Sequence, residues 1–169
     1  MWYNKIEVIK LHEKDTGELI EELKISPDIE TFQEQNQAEF TMPLHEYLAK
    51  LLEEKNISKG ELVEKIHAGD KHIYHILSGL KKPSRKKILT IARAMELNLD
   101  ETSYLLRYGG FAVLYVRNIW DSIIIRAIEK NLTILETNYL LESLNQPLLN
   151  ENPKDAIEKN WRRKNVCSR

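Results

Sequence analysis

A chain of 169 residues, 42% hydrophobic and 30% charged, is long enough to bury one core with a small appendage beside it. Its longest apolar run, Phe111 to Val116, is far short of the about 20 residues that cross a bilayer; Met1 to Lys10 lack the pattern of a secretory leader, and the single Cys167 excludes an intrachain disulfide, so a soluble cytoplasmic protein is expected. The net charge of −1 is unevenly spread: residues 1–57 hold six Lys/Arg against thirteen Asp/Glu, residues 58–95 nine against three, and residues 96–169 ten against ten, so the middle of the chain is suited to an anionic partner. In chain order, Lys5 to His12 and Glu18 to Ile25 read as two short strands around Asp15-Thr16-Gly17, a small β-hairpin within residues 1–28, with Gly17 to Lys24 alternatively a short helix. Ser26-Pro27-Asp28 ends it, and residues 29–40, rich in Glu and Gln, read as a linker with at most one helical turn.

From Thr41 the pattern is helical. Leu44, Leu48, Leu51 and Leu52 form one apolar stripe on a helix to about Lys55, which Asn56 stops. Ser58 and Glu61 make a capping box that opens a helix with Leu62, Val63 and Ile66 inward. Four residues, His67 to Asp70, separate it from a short helix over about Lys71 to Ser78, whose inward positions are Ile73, Ile76 and Leu77 and whose end is marked by Gly79. Ser84 caps a further helix carrying Ile88, Leu89, Ile91, Ala92 and Met95.

The second half contains a repeat. Arg93 to Leu99 matches Arg126 to Leu132, and Glu101 to Leu106 matches Glu136 to Leu141, with two residues inserted between the halves, so residues 109–150 read as an additional helical pair. Asp100 and Thr133 are the expected caps of the two second helices, and Tyr108-Gly109-Gly110 breaks the path between the copies. Asn152-Pro153 opens a last helix through Trp161, within a final segment 151–169 that ends in the basic tail Arg162-Arg163-Lys164, read as a solvated end.

A tight helix, turn, helix unit framed by one helix before and two after, with basic charge on and just past it, is the geometry of helix-turn-helix DNA readers. On Asn56 to Ile66, then Ile73, Ile76, Ser78-Gly79, Lys81-Lys82-Pro83-Ser84, Ile88, Ile91-Ala92 and Leu97, the chain resembles the Cro/repressor-type (XRE-type) family of small bacterial regulators. The resemblance implies a mainly α fold, a Cro/repressor-like bundle at residues 41–108 extended by further helices, and a sequence-specific, dimeric transcription repressor on double-stranded DNA. It places Asp70, Lys71, Tyr74 and His75 towards base edges, and Lys59, Lys81, Lys82, Arg85 and Lys86 along the phosphates. Lys59, Val63 and His67 stand where the family favours glutamine, alanine and glycine. The alternative is a helical adaptor or antirepressor with a degenerate motif and a protein partner. His67, His72 and His75 lack the further ligands of a metal site, no catalytic motif stands out, and neither a cofactor nor an enzymatic activity is expected.

Overall fold

The computed structural model describes residues 14–40, 42–66 and 71–150. They fall into two compact units that divide after Met42. Every regular element among them is helical, none is a strand, and no helix is long and apolar enough to cross a membrane.

The first unit corrects the expected hairpin. Glu18 to Ile25 belongs to α1 (Thr16–Ile25), while Lys5 to His12 lies outside the described residues. The turn-like Asp15 is in fact a helix cap: the Glu18 carboxylate accepts from the Asp15 N–H at 3.1 Å, so Asp-Thr-Gly starts a helix instead of reversing a strand. The expected linker also carries structure, α2 (Ile29–Gln35) and a single 3-10 turn (Gln37–Glu39). Asp28 caps α2 by accepting from the Thr31 N–H at 2.7 Å. Lys14 ties the unit together by donating to Glu22 at 2.8 Å and to the buried Asn36 at 2.7 Å.

The second unit holds α3 (Leu44–Glu54), α4 (Lys59–Lys65), α5 (Lys71–Leu77), α6 (Arg85–Ala94), α7 (Leu99–Tyr108), α8 (Ile119–Glu129) and α9 (Ile134–Ser143). Helix α6 runs through its centre, with every residue from Ile88 to Ala94 buried and α4, α7 and α9 packed around it. Leu51, Leu62, Ile73, Ile91 and Leu105 are all fully enclosed. Each such side chain contributes about 1.5–3 kcal/mol relative to an exposed one. Tyr47 stacks on Tyr108 with ring centroids 4.1 Å apart, fixing α3 against α7.

One corner design recurs three times. Asn56, Glu96 and Asn131 take the left-handed conformation, with φ of 51°, 55° and 49°. The next residue returns its N–H to a carbonyl in the helix just ended: Ile57 to Leu52, Leu97 to Ala92, Leu132 to Ala127, at 2.9, 3.0 and 2.9 Å. This is the Schellman closure with its apolar residue after the turn. The very next residue, Ser58, Asn98 or Thr133, caps the following helix in a box with Glu61, Glu101 or Glu136.

These corners correct two details of the repeat. The cap of α7 is Asn98, whose side chain accepts from the Glu101 N–H at 2.9 Å, and Asp100 lies within the helix. The copies align without an insertion, because Ala92 answers to Ala127, Glu96 to Asn131, Leu97 to Leu132, and Tyr104-Leu105-Leu106 to Tyr139-Leu140-Leu141. Identity of Arg93-Ala94 with Arg126-Ala127 in the sequence suited a different register, but the hydrogen-bonded corner sets the alignment.

Candidate nucleic-acid interface

The expected reading unit is α4, residues 66–70 and α5. Ser58 donates its N–H to Glu61 at 2.7 Å and accepts from the Glu61 N–H at 3.2 Å, which fixes where α4 begins. Helix α5 turns Ile73 and Ile76 into the core and leaves Tyr74 47% exposed, with His75 half-buried beside it. Gly79 ends the unit at a φ of 76°, where the ring of His45 on α3 comes within 2.8 Å of the place a Cβ would occupy. Both the backbone angle and the close approach call for glycine. Asp70 lies outside the described residues, as does the side chain of Lys71.

Of the five cations expected along phosphates, Lys59, Lys81 and Lys82 are exposed. Lys59 opens α4, and the other two come after Gly79, their segment held by the Lys81 N–H donating to the His75 carbonyl at 3.1 Å.

The remaining two are engaged by other parts of the chain, Arg85 half-buried and Lys86 still exposed. The Arg85 guanidinium donates to both oxygens of Asp121 on α8 at 2.8 Å, and its Nε donates to the Ala112 carbonyl at 3.4 Å. Lys86 donates to the Leu148 carbonyl at 2.9 Å and lies 5.6 Å from the centre of the Trp120 ring. Burial alone would raise the Asp121 carboxyl, but the Arg85 guanidinium and the Tyr115 N–H outweigh it and hold its pKa below the ordinary carboxylate value.

Two more cations of the basic stretch are also engaged. Arg93, 3% exposed, donates to the Leu132 carbonyl at 2.6 and 3.1 Å, to the Leu97 carbonyl at 3.3 Å and to the Asn131 side chain at 3.1 Å. Lys65 bridges to Glu96 at 3.1 Å on the surface. The positive charge counted over residues 58–95 is therefore partly structural, and the exposed part is concentrated next to the reading unit.

Sequence reasoning missed Asp121 and the segment from Pro147 to Asn150 as determinants of this face. Asp121 carries a detectable local signal, since Asn118 accepts from its N–H at 3.0 Å as an ordinary helix cap. Its pairing with Arg85, on another helix, has no signature in spacing. A groove of about 880 Å³ lies elsewhere, among the helix corners at Asn56, Glu96 and Asn131, and its described lining includes Glu61, Glu64 and Lys65 of α4 but no residue of α5 and none of the candidate residues. Comparison with known proteins finds no matching family model, no matching curated protein and no matching solved structure.

Proposed function

We propose that this chain is a sequence-specific, DNA-binding transcriptional regulator of the Cro/repressor type, non-enzymatic, cytoplasmic and acting as a homodimer. The observation that carries the reading is α5 itself. It is a short helix joined closely to α4, with its apolar residues enclosed, Tyr74 facing out, and Lys81 and Lys82 exposed just past its end. In such a unit the second helix enters the major groove and the flanking lysines meet phosphates. Two-fold pairing doubles the few base contacts that one short helix offers.

The test is fluorescence anisotropy of the full chain against duplexes from its own upstream region and a scrambled control, across salt concentrations. Saturable binding to a native duplex that weakens steeply with salt is expected. Lys81→Ala and Lys82→Ala each flatten the dependence of log K on log salt by about 0.9 and weaken binding to every duplex alike. Tyr74→Ala instead alters the preference among duplexes. Absence of saturable binding at low salt refutes the proposal.

A second reading, a helical protein-interaction module that keeps the fold, is favoured by one observation: Arg85 and Lys86 are engaged within the chain. Capture of one stoichiometric protein partner by a chain that binds no duplex would select it.

A further inference from the structure

The groove among the helix corners has an apolar floor and a charged rim. The floor is Ile57, Ala94, Ile134 and Leu135, from the corner before α4, the end of α6 and the start of α9. Ala94 and Ile134 are buried, Ile57 is half-buried and Leu135 is 38% exposed. One turn further along the same side of α9, Tyr139 is 45% exposed, so the apolar strip continues past the groove. Leu135 and Tyr139 stand about 6 Å apart along the helix axis, the spacing of the rungs on which a docked helix seats its i and i+4 residues.

The rim carries Glu61, Glu64 and Glu96 against Lys65 and Arg93. Both cations are engaged. Arg93 is 3% exposed and turns its guanidinium to the Leu132 and Leu97 carbonyls and the Asn131 side chain, while Lys65 bridges to Glu96 at 3.1 Å. Glu61 is held in its capping box with Ser58. The Glu64 side chain is exposed, with no ion pair or hydrogen bond among the described residues. An occupant of the groove therefore meets three carboxylates and one lysine above the apolar floor, which favours a basic amphipathic partner and disfavours an acidic one. A second copy of this chain does not match. Its helix α1 exposes Ile20, Leu23 and Ile25, but sets Glu18, Glu21 and Glu22 against the single Lys24, and so repels the rim.

We propose that this groove docks a basic amphipathic helix of a partner protein, its apolar residues on Ile57, Ile134 and Leu135 and its lysines or arginines on Glu64 and Glu96. The inference stands apart from the DNA-binding reading, because none of the groove's described lining belongs to α5.

The test titrates the full chain into a fluorescein-labelled helical peptide of about fourteen residues, or about four turns, with leucine at i, i+3, i+4 and i+7 and lysine elsewhere. The same peptide with glutamate for lysine is the control. Anisotropy is expected to show saturable one-to-one binding of the lysine peptide that weakens with salt, and no binding of the glutamate peptide. Amide NMR shifts move at Ile57, Ala94 and Leu135. Leu135→Ser removes an apolar anchor and weakens binding about 10-fold. Glu64→Lys weakens it several-fold and flattens the salt dependence, and lysine in the last turn of α4 suits the helix dipole, so the fold is kept. Glu46→Lys, at an exposed position on α3, makes the same change of charge outside the groove and leaves binding within about 2-fold.

Equal weakening by Glu46→Lys overturns the proposal, by reducing the binding to attraction for an acidic surface. No saturable binding at low salt, or shifts confined to other helices, overturns it as well. Self-association of the chain that Leu135→Ser abolishes gives the groove to a second copy and overturns the partner helix. Leu135→Ser leaves duplex binding unchanged, so failure here and failure of the DNA-binding reading are seen separately.

Discussion

Arg85→Ala separates two accounts of one cation, a phosphate ligand and a clamp between α6 and α8. Its side chain is 28% exposed and that of Asp121 is 9% exposed, with both carboxylate oxygens held at 2.8 Å. Exposed ion pairs contribute about 0–1 kcal/mol, whereas removing one member of a buried pair costs about 3–5 kcal/mol because the other charge is stranded. This pair lies between those limits, so truncation is expected to cost about 2–3 kcal/mol. For a chain of this length that lowers Tm by about 4–12 °C, read by circular dichroism. Adding Asp121→Ala removes the stranded charge and restores part of the loss, so the two substitutions are not additive. The pH dependence has a fixed sign. The folded Asp121 carboxyl is depressed, so its contribution is present above its ordinary value of 3.8 and is lost as pH falls through the folded value. The gap in Tm between the unchanged chain and Arg85→Ala therefore closes as the pH is taken below 3.8. An Arg85→Ala chain that melts like the unchanged one at neutral pH, yet binds every duplex more weakly, refutes the clamp and returns Arg85 to the phosphates.

The helix corners and the core supply three further predictions. Glu96 holds a φ of 55°, a conformation that costs a side-chain-bearing residue about 1–2 kcal/mol. Its bridge to Lys65 joins side chains 60% and 45% exposed. Such an exposed bridge returns little, so Glu96→Gly is expected to raise stability by about 0.5–1 kcal/mol in urea unfolding, and a loss instead would mean that the bridge outweighs the backbone. The Thr102 hydroxyl is buried without a hydrogen-bond partner among the described residues, unlike its counterpart Thr137, which donates to the Thr133 carbonyl at 2.8 Å. Thr102→Val should therefore stabilise by about 1 kcal/mol while Thr137→Val does not, and equal effects at the two sites would sink the comparison. Gly79→Ala combines a positive φ with a Cβ placed against the His45 ring, and is expected to cost about 2 kcal/mol or more in the same assay; His45→Ala in that background relieves the steric part and leaves the backbone part.

The helical half of the fold was legible because its signals are local. Ser58 with Glu61 and Thr133 with Glu136 are capping boxes written within four residues, and the stripe of Leu48, Leu51 and Leu52 reports the buried face of α3 directly. The same reasoning failed at Asp15-Thr16-Gly17, where turn residues and cap residues are chemically alike. An aspartate with a glutamate three residues later, Asp15 with Glu18, is the discriminating pattern there, and it favours the short helix that the same residues offered as the alternative. At α7 the sequence reading points to Asp100, whereas the cap is Asn98. Only the preceding corner, with Glu96 left-handed and Leu97 bonded back to Ala92, decides for Asn98. A corner is thus a better unit of reading than a cap, since the left-handed residue, the apolar residue and the cap are consecutive and leave no freedom in register.

The interface is harder to read because a sequence shows charge but not what the charge faces. Lys81 and Arg85 look equivalent in a basic stretch, yet one is exposed and the other is committed to Asp121 on a helix that starts beyond the intervening α7 and the loop after it. Long-range pairs of this kind arise because α8 and α9 pack on a bundle whose helix ends already offer donors and acceptors. Arg93 is the extreme case: its guanidinium lies inside the protein, and desolvation lowers its pKa. It remains in place because the corner at Asn131 and Leu132 presents acceptors to it. The second half of the chain therefore alters the first by engaging Arg85 and Lys86 at the start of α6 and Arg93 near its end.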